Sequence, residues 1–339
     1  MDMNSTAAFI MPVKISGSGM ELRHIKEAIA SIEQQTDKDW IIVISEDYCQ
    51  DEMVYAALKE YEARLGDKIH VIYADKNHGA GEARNIGIRY AASIGAPFIL
   101  FLDADDLSDP RRLELVRKAF EDPTVNVVYT SFDIIDENDH LTPDDKLALP
   151  IKEIIDGHKV DIVEGEHAWI NIATKKKYTN LTSCTAVRTS LALEEPFPPL
   201  SASEDCHTWM RYGAHPGKFV FLRDIKGRYR ICSGVASRSR SHISAFYDRM
   251  YEADSDGFEQ ALIVAKRLGT LGDNDENELR ARFHVRLALN LINSGREDHC
   301  KKSLNLAKSL VNERIVGYID TLPCDDATKA RMKEMAQGY

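Results

Sequence analysis

The first two thirds of the chain alternate between short apolar runs and longer segments in which apolar residues recur every three or four positions. The short runs predict strands and the longer segments predict amphipathic helices. The predicted strands are residues 7–13, 40–45, 69–73, 98–102 and 125–129. This repeated strand–helix order predicts an α/β fold, a sheet flanked by helices with right-handed crossovers.

The run from Phe98 to Leu102 is apolar at five successive positions and leads into Asp103, Asp105 and Asp106. A strand that is apolar on both faces belongs in the middle of a parallel sheet, and ligands bind beyond the carboxyl ends of such strands. If the extended geometry persists, Asp103 and Asp105 share one side and Asp106 faces away. Two hard oxygen ligands at this edge suit Mg²⁺ or Mn²⁺, which also take phosphate oxygens.

Other interpretations account for less of this acidic segment. Helix capping explains Asp109, which precedes Pro110, and leaves the earlier carboxylates unexplained. A calcium loop of the EF-hand type would place Leu107 at a ligand position and Ser108 where the turn requires glycine. Phosphatases of the haloacid-dehalogenase type carry Thr or Val where this chain has Leu107. Phosphoryl transfer with Asp103 as nucleophile stays open as a weaker alternative.

Composition narrows the class of protein. A length of 339 residues predicts two structural units, and the net charge of -11 argues against nucleic acid as the main partner. No apolar run approaches the roughly 20 residues of a bilayer span, so no transmembrane segment is expected. Six cysteines without a C-x-x-C pair indicate neither a zinc site nor a disulfide framework, and a cytoplasmic location is expected.

Two glycine-containing loops follow predicted strands. Residues 17–19 lack the third glycine of a dinucleotide fingerprint, because Leu22 holds that position, and no nicotinamide cofactor is predicted. In the second loop, Gly79 and Gly81 let the backbone approach a ligand, and Arg84 falls on the first turns of the following helix.

A second acidic pair opens a helix after the proline-rich residues 196–199. Ser203 is predicted to cap this helix, which places Glu204 and Asp205 in its first turn. Compensation of the helix dipole explains such a pair by itself, at about 0.3–1 kcal/mol. Residues 180–187 are predicted as a strand that lies across the site.

Four amphipathic helical segments are predicted near the end of the chain, at about 255–268, 276–293, 298–313 and 326–336. They indicate a C-terminal helical extension over residues 245–339, after an α/β domain over residues 1–244. The extension would either stabilise the α/β domain as a cap or serve self-association, as in a homo-oligomer, or docking of a partner.

Five short motifs follow one another in the first 205 residues. They are Ser31-Ile-x-x-Gln-Thr36 ahead of Trp40-Ile-Ile-Val43, Asn77-x-Gly79, Ala83-Arg-Asn-x-Gly87, Phe101-Leu-Asp-Ala-Asp-Asp106 and Glu204-Asp205. In this order and spacing, residues 7–212 resemble the inverting, GT-A-fold glycosyltransferases of family 2. The resemblance implies a nucleotide-diphospho-sugar transferase fold, a Rossmann-like mixed sheet flanked by helices, with the C-terminal helices outside it.

The resemblance also implies a role for each matched residue. Asp205 would be the catalytic base, with Glu204 as its neighbour in contact with the acceptor. Asp105 would be the direct ligand of Mn²⁺ or Mg²⁺, with Asp103 and His242 as further ligands. The expected donor contacts are Pro12, Glu46, Asp47, Asn77, Arg84, Asp103, Ala104 and Arg238. A solvated basic loop is the competing interpretation of the segment around Arg238 and His242.

The implied activity is transfer of a sugar from a nucleotide-diphosphate sugar to a hydroxyl of a carbohydrate or other acceptor, with inversion. A UDP-sugar is favoured, although two segments depart from the family pattern. Residues 45–49 read Ser-Glu-Asp-Tyr-Cys instead of Asp-Asp-Gly-Ser, and residues 12–15 read Pro-Val-Lys-Ile instead of Pro-x-Tyr-Asn. These departures leave open a non-catalytic protein that binds a sugar nucleotide and works through its helical C-terminal region.

Overall fold

The computed structural model of the protein describes residues 6–15, 19–175, 180–232 and 245–337. Within these ranges the chain forms a seven-stranded sheet, in the order β3-β2-β1-β4-β6-β5-β7. The strands are β1 (Ala7–Val13), β2 (Trp40–Glu46), β3 (Ile69–Tyr73), β4 (Phe98–Phe101), β5 (Val125–Ile135), β6 (Thr185–Arg188) and β7 (Lys218–Arg230). β6 is antiparallel to β4 and β5, and the other neighbours are parallel. The predicted mixed α/β fold is therefore confirmed.

The helices lie on both faces of the sheet and continue beyond it. Those before β7 are α1 (Gly19–Glu33), α2 (Glu52–Leu65), α3 (Ala80–Ser93), α4 (Arg112–Ala119), α5 (Leu149–Val160), α6 (Ala168–Thr174), α7 (Thr189–Glu194) and α8 (Glu204–Ala214). Those after it are α9 (Phe246–Leu268), α10 (Glu276–Asn293), α11 (Glu297–Val311), α12 (Ile315–Asp320) and α13 (Asp326–Gln337). Within the described ranges, no helix combines the length and the apolar composition that a bilayer span requires.

Alternating residues of the central strands enter two separate apolar cores. Ile99 and Phe101 of β4 contribute to the core beneath α3, α6 and α8, whereas Phe98 and Leu100 contribute to the core beneath α1, α2 and α4. A strand with both faces covered must be apolar throughout. This burial explains why the run at residues 98–102 has no polar position.

The chain changes direction within the sheet at β1. It proceeds from β1 to β2 and β3 on one side, and then returns to β4 on the other side. β4 pairs with β1 only over Ala8–Ile10, whereas β2 pairs with β1 as far as Val13. Pro12, which has no N–H to donate, lies in the stretch that is paired with β2 alone. The crevice beyond Ile10 is the place where open α/β sheets bind ligands.

At two places an element boundary differs from the sequence prediction because side chains bind backbone groups locally. The strand predicted at residues 180–187 is wrong over its first half, since residues 182–184 form a 3₁₀ turn and the Thr185 hydroxyl donates to the Leu181 carbonyl at 2.7 Å. Only β6 is extended, and it lies within the sheet. Asp109 accepts the N–H of Arg111 at 2.8 Å, so α4 begins two residues after Pro110.

The C-terminal helices share the apolar core beneath α6 and α8. Trp169 and Trp209 belong to the same buried cluster as Phe258 and Phe283, and the rings of Phe258 and Phe283 stack with centroids 4.4 Å apart. α9 begins at Phe246, nine residues earlier than the sequence predicts. The division of the chain at residue 244 stays a prediction.

Helices α8 and α6 approach so closely that a glycine is required between them. A Cβ placed on Gly213 would lie 2.6 Å from the backbone nitrogen of Trp169. We therefore expect Gly213→Ala to lower the free energy of unfolding by about 1–3 kcal/mol, as overpacking does in other cores. Chemical denaturation of both proteins measures this difference.

Gly317→Ala is the matched control. Gly317 is also in a helix and is exposed, and a Cβ placed on it would have no atom within 4 Å. We expect this change to raise stability by up to about 1 kcal/mol through helix propensity. Equal effects of the two substitutions would contradict the close packing of α6 and α8.

Candidate active site

The acidic segment after β4 forms a turn. The N–H of Asp106 donates to the carbonyl of Asp103 at 3.1 Å. The expectation that the extended geometry persists to Asp106 is therefore wrong. The Asp106 carboxylate accepts the Ser183 hydroxyl and, at 2.8 Å, the backbone N–H of Arg230, and these bonds draw the chain inward. Asp106 is buried, whereas Asp103 and Asp105 remain partly exposed.

Arg230, the last residue of β7, fixes this turn from inside the protein. Its side chain is 1% exposed, and its Nε donates to the carbonyl oxygen of Asp105 at 2.7 Å. The guanidinium also pairs with Glu27 at 3.2 Å and with Asp139 at 2.5 Å. Because the backbone and side chain of Arg230 hold two successive aspartates, β7 determines where the acidic turn lies.

The acidic turn places the carboxyl groups of Asp103, Asp105 and Asp106 close together. Burial, together with the negative charges of Asp105 and Asp103, raises the pKa of Asp106 well above its ordinary value. The hydrogen bonds from Ser183 and Arg230 oppose this shift. A segment in which carboxylates repel one another in this way favours a bound cation.

Arg84 of α3 connects the acidic turn to the acidic helix. Its side chain is 5% exposed, and it donates from Nη2 to Asp103 Oδ1 at 2.8 Å and from Nη1 to Glu204 Oε1 at 3.0 Å. Burial lowers the pKa of Arg84, but the charges of Asp103 and Glu204 outweigh burial and raise it. One guanidinium therefore joins carboxylates that are 101 positions apart in the sequence (204 minus 103).

Helix α3, which carries Arg84, also contacts the proline-rich segment before α8. The Asn85 side chain donates to the Phe197 carbonyl at 2.9 Å and accepts the Phe197 N–H at 2.8 Å. A Cβ on Gly81 would lie 3.0 Å from the carbonyl oxygen of Pro198. Gly81 and Asn85 therefore set the distance between α3 and the start of α8.

Helix α8 begins without the predicted side-chain cap. Ser203 has a left-handed backbone with φ of 57°, and its side chain makes no capping hydrogen bond. The cap prediction is therefore wrong, because this backbone conformation differs from the extended one that a capping serine adopts. Asp205 accepts the N–H of Cys206 at 2.7 Å instead.

Asp205 has an unusually high proton affinity for a carboxylate. Burial and the adjacent charge of Glu204 raise its pKa to about 7, with a further contribution from Asp254. The N–H of Cys206 and the guanidinium of Arg84 act in the opposite direction. A carboxylate that titrates near neutral pH suits general base catalysis.

The carboxylates at the end of β2, Glu46 and Asp47, are buried and hold the neighbouring loop. Asp47 accepts the backbone N–H groups of His78 and Gly79 at 2.7 and 2.9 Å. Glu46 accepts the N–H of Cys49. Asn77 is exposed and accepts the N–H of Gly79 at 3.0 Å. The predicted contacts of Glu46, Asp47 and Asn77 with a nucleobase stay predictions.

The remaining predicted donor and metal residues are placed only in part. Pro12 is partly buried at the end of β1, and Ala104 is 7% exposed within the acidic turn. Arg238 and His242 lie outside the described residues. Sequence reasoning missed Ser183 and Arg230, and no local pattern marks either, because both act on the acidic turn from distant segments.

Glu194, Glu195 and His215 form another group with potential metal ligands, all within 4.8 Å of one another. Glu195 is already paired with Arg211 at 2.9 Å, with His215 at 3.1 Å and with Arg267 at 3.2 Å. The guanidinium groups of Arg211 and Arg267 already pair with the Glu195 carboxylate. The group is therefore an ion-pair cluster that joins α7, α8 and α9.

The raised pKa of Asp205 makes stability depend on pH. Since its pKa is about 7 when folded and about 3.9 when unfolded, the unfolded chain releases the proton first and stability falls between these pH values. We expect Asp205→Asn to remove this loss of stability with rising pH. It should stabilise the protein at pH 8, on the order of 2 kcal/mol, and the difference should vanish near pH 4.

Chemical denaturation at pH 4, 6 and 8 measures this dependence. Asp75→Asn, at a side chain that is 89% exposed, is the control and should change stability little at any of these pH values. An Asp205→Asn protein that is less stable than the wild type at pH 8 would contradict the assignment.

The sequence of this protein is similar to those of known proteins. The sequence model of the family described as "Glycosyl transferase family 2" matches residues 10–181. An uncharacterized glycosyltransferase of Methanocaldococcus jannaschii is 28% identical over 214 residues, which are 62% of this chain and 66% of that relative. The alignment thus spans just under two thirds of the relative's length.

Two solved structures resemble the whole chain. TarS of S. aureus (residues 1–349, in complex with UDP-GlcNAc) has a TM-score of 0.62 and 16% identity, over 98% of this chain and 89% of that 1–349 segment. The mannosyltransferase PcManGT of Pyrobaculum calidifontis, in complex with GDP-Man and Mn²⁺, has a TM-score of 0.55 and 14% identity, over 99% and 86% of the two chains. At these identities the likeness shows the fold. Because the family match covers just over half of the 339 residues, the protein belongs to glycosyl transferase family 2.

Proposed function

We propose that the protein transfers a sugar from a nucleotide-diphosphate sugar, with a UDP-sugar favoured, to a hydroxyl of a carbohydrate or other acceptor. The observation that carries the proposal is the bridge of Arg84 between Asp103 and Glu204. It brings the acidic turn, where a donor diphosphate and a cation are expected, next to the helix that carries Asp205. Membership of the family supports the same activity.

Asp205 is the catalytic base in this proposal. Its carboxylate accepts the proton of the acceptor hydroxyl while the hydroxyl oxygen bonds to the anomeric carbon and the bond to the diphosphate breaks. A single displacement from the opposite face inverts the anomeric configuration and needs no nucleophile from the protein. With a pKa of about 7, Asp205 is partly ionised near neutral pH and holds an accepted proton firmly. Glu204 contacts the acceptor beside it.

The acidic turn fits a divalent cation. Asp105 and Asp103 are partly exposed carboxylates, whereas Asp106 is turned inward by Ser183 and Arg230. Asp105 would hold Mn²⁺ or Mg²⁺, which prefer such hard oxygen ligands, with Asp103 and His242 as further ligands. When bound, the cation neutralises, as a Lewis acid, the charge that grows on the departing diphosphate. The complex of PcManGT with Mn²⁺ and GDP-Man supports this choice of ion.

The donor is proposed to lie across the ends of β1 and β4. Pro12, Glu46, Asp47 and Asn77 would contact the nucleoside, while Ala104 and Arg238 would lie along the diphosphate. The complex of TarS with UDP-GlcNAc supports a nucleotide-diphosphate sugar as the class of donor. Arg84 would act on the donor mainly through Asp103, because both of its terminal nitrogens are occupied by carboxylates.

Two proposals concern the setting of the protein. The six cysteines include no C-x-x-C pair in the sequence, which supports a reducing compartment such as the cytoplasm. Ile263, Leu268 and Leu306 are exposed on the C-terminal helices. Their exposure supports self-association through these helices. Size-exclusion chromatography with light scattering measures the oligomeric state directly.

The base assignment is tested with Asp205→Asn. We expect turnover to fall by about 10²–10⁴-fold, because asparagine cannot accept the proton. Release of UDP from a panel of UDP-sugars, with a panel of carbohydrate acceptors, measures turnover, and calorimetry measures donor binding. Donor affinity should stay within a few-fold of wild type, and Asp75→Asn should be fully active.

Full turnover of Asp205→Asn would show that another residue is the base. Donor binding by the wild type without turnover on any acceptor would favour a non-catalytic role that uses the C-terminal helices.

Cation binding is tested with Asp105→Asn. We expect Mn²⁺ with UDP to raise the melting temperature of the wild type more than UDP alone, because ligands that bind the native state stabilise it by mass action. The increment due to Mn²⁺ should disappear in Asp105→Asn. It should persist in Asp145→Asn, which changes an exposed aspartate by the same chemistry. An unchanged increment in Asp105→Asn would contradict its role as metal ligand.

A further inference from the structure

The first C-terminal helix, α9, lies alongside the helix that carries Asp205. Three contacts connect these two helices or the residues next to them, and they occur in the same order along both segments. Arg249 donates to the Ser201 hydroxyl at 2.7 Å, Asp256 lies 2.9 Å from the ring of His207, and the Thr270 hydroxyl donates to the Ala214 carbonyl. Because the residue numbers rise together, α9 runs parallel to α8.

The two helices approach each other closely at Gly257. A Cβ at this position would lie 2.8 Å from the Cα of His207. A glycine is therefore required where the backbones meet. Asp254 precedes Gly257 by three residues, about one helical turn, on the same buried face, and it is 0% exposed. In the parallel register, one turn before His207 on α8 is the Glu204–Asp205 pair.

We propose that Asp254 is a positioning residue for the catalytic base, through which α9 supplies a third carboxylate to the acceptor side of the site. The proposal rests on the function proposed above for Asp205. The negative charge of Asp254 opposes ionisation of Asp205, so the base binds the acceptor proton more firmly than its other neighbours alone would allow.

The electrostatics of Asp205 and His207 on α8 agree with this placement. Burial and Glu204 raise the pKa of Asp205, the Cys206 N–H and Arg84 lower it, and the charge of Asp254 raises it further. Burial lowers the pKa of His207, while Asp256 and Asp254 raise it and Arg211 lowers it. Asp254 thus acts on both residues, as expected of a charge that faces α8 between them.

This arrangement assigns α9 to the catalytic unit. The buried face of α9 carries Met250 and Phe258, which belong to the core shared with α8, and Asp254 lies among them. We therefore expect the segment after residue 245 to tune the chemistry of the site in addition to stabilising the fold.

The test is the titration of Asp205 in the full-length protein without ligands. Carbon-13 NMR of protein labelled at the aspartate carboxyl follows each carboxylate with pH, and the Asp205 signal is identified by its loss in Asp205→Asn. In Asp254→Asn we expect the midpoint of Asp205 to fall by about half a pH unit or more, because a like charge is removed. Asp254→Glu, which keeps the charge, should stay close to wild type.

Glu252→Gln is the matched control, since it removes one charge from an exposed position two residues away. It should leave the midpoint of Asp205 unchanged. A midpoint that is unchanged or higher in Asp254→Asn would overturn the proposal. If Asp254→Asn does not fold, Asp254→Ala removes the same charge without introducing a buried polar group, and the same shift is expected.

The pH profile of turnover separates this proposal from the proposed function. The acidic limb of kcat/KM, measured by UDP release from the UDP-sugar that gives the largest thermal shift, should move with the NMR midpoint in Asp254→Asn. A shifted midpoint with an unmoved limb would show that Asp205 is not the base, while the charge coupling of α9 to α8 stands. The NMR result itself requires no turnover.

Discussion

The structure depends on one buried guanidinium. Arg84 cannot lose its charge and has almost no contact with water, so it requires anions on more than one side. Asp103 at the end of β4 and Glu204 at the start of α8 supply them. Arginine suits this position because its planar fork directs two nitrogens to two different partners, whereas lysine would offer a single nitrogen to both. The charge pairing therefore fixes the relative position of three elements.

This pairing also makes one site from two segments. The carboxylates of the acidic turn and those of α8 each carry repulsive charge, and Arg84 neutralises one member of each group. The acidic turn also carries Asp105, and α8 also carries Asp205. In the proposed function, such a site provides separate places for a cation and for a base. Arg230 maintains the first place from β7, and the packing of α9 maintains the second.

The sequence was sufficient to predict the central strands of the fold. Strands β1, β2 and β4 are buried on both faces, so their uninterrupted apolar runs mark them, and the aspartates that follow β4 mark the edge where ligands bind. The extended residues of β6 were predicted within a longer strand, but its place in the sheet was not predictable, because four residues are too few for a periodic pattern. Its antiparallel place between β4 and β5 depends on contacts with strands distant in sequence.

The motif at residues 83–87 shows where sequence reasoning is incomplete. The resemblance assigns Arg84 to the donor, whereas the structure shows what each position does within the protein. Arg84 bridges carboxylates, Asn85 holds the backbone of Phe197, and Gly87 lets α3 approach Ile10 of β1, where a Cβ would lie 2.7 Å from its side chain. Roles of this kind depend on partners far away along the chain, as do those of Arg230 and Asp254.

A cation at the end of β4, beside the helix that carries the proposed base, would be visible by anomalous diffraction at the manganese edge, from crystals soaked with Mn²⁺ and UDP. We expect the strongest peak against the carboxylate of Asp105, in the crevice beyond β1 and β4. A peak at Glu195 and His215 with none at Asp105 would contradict this expectation.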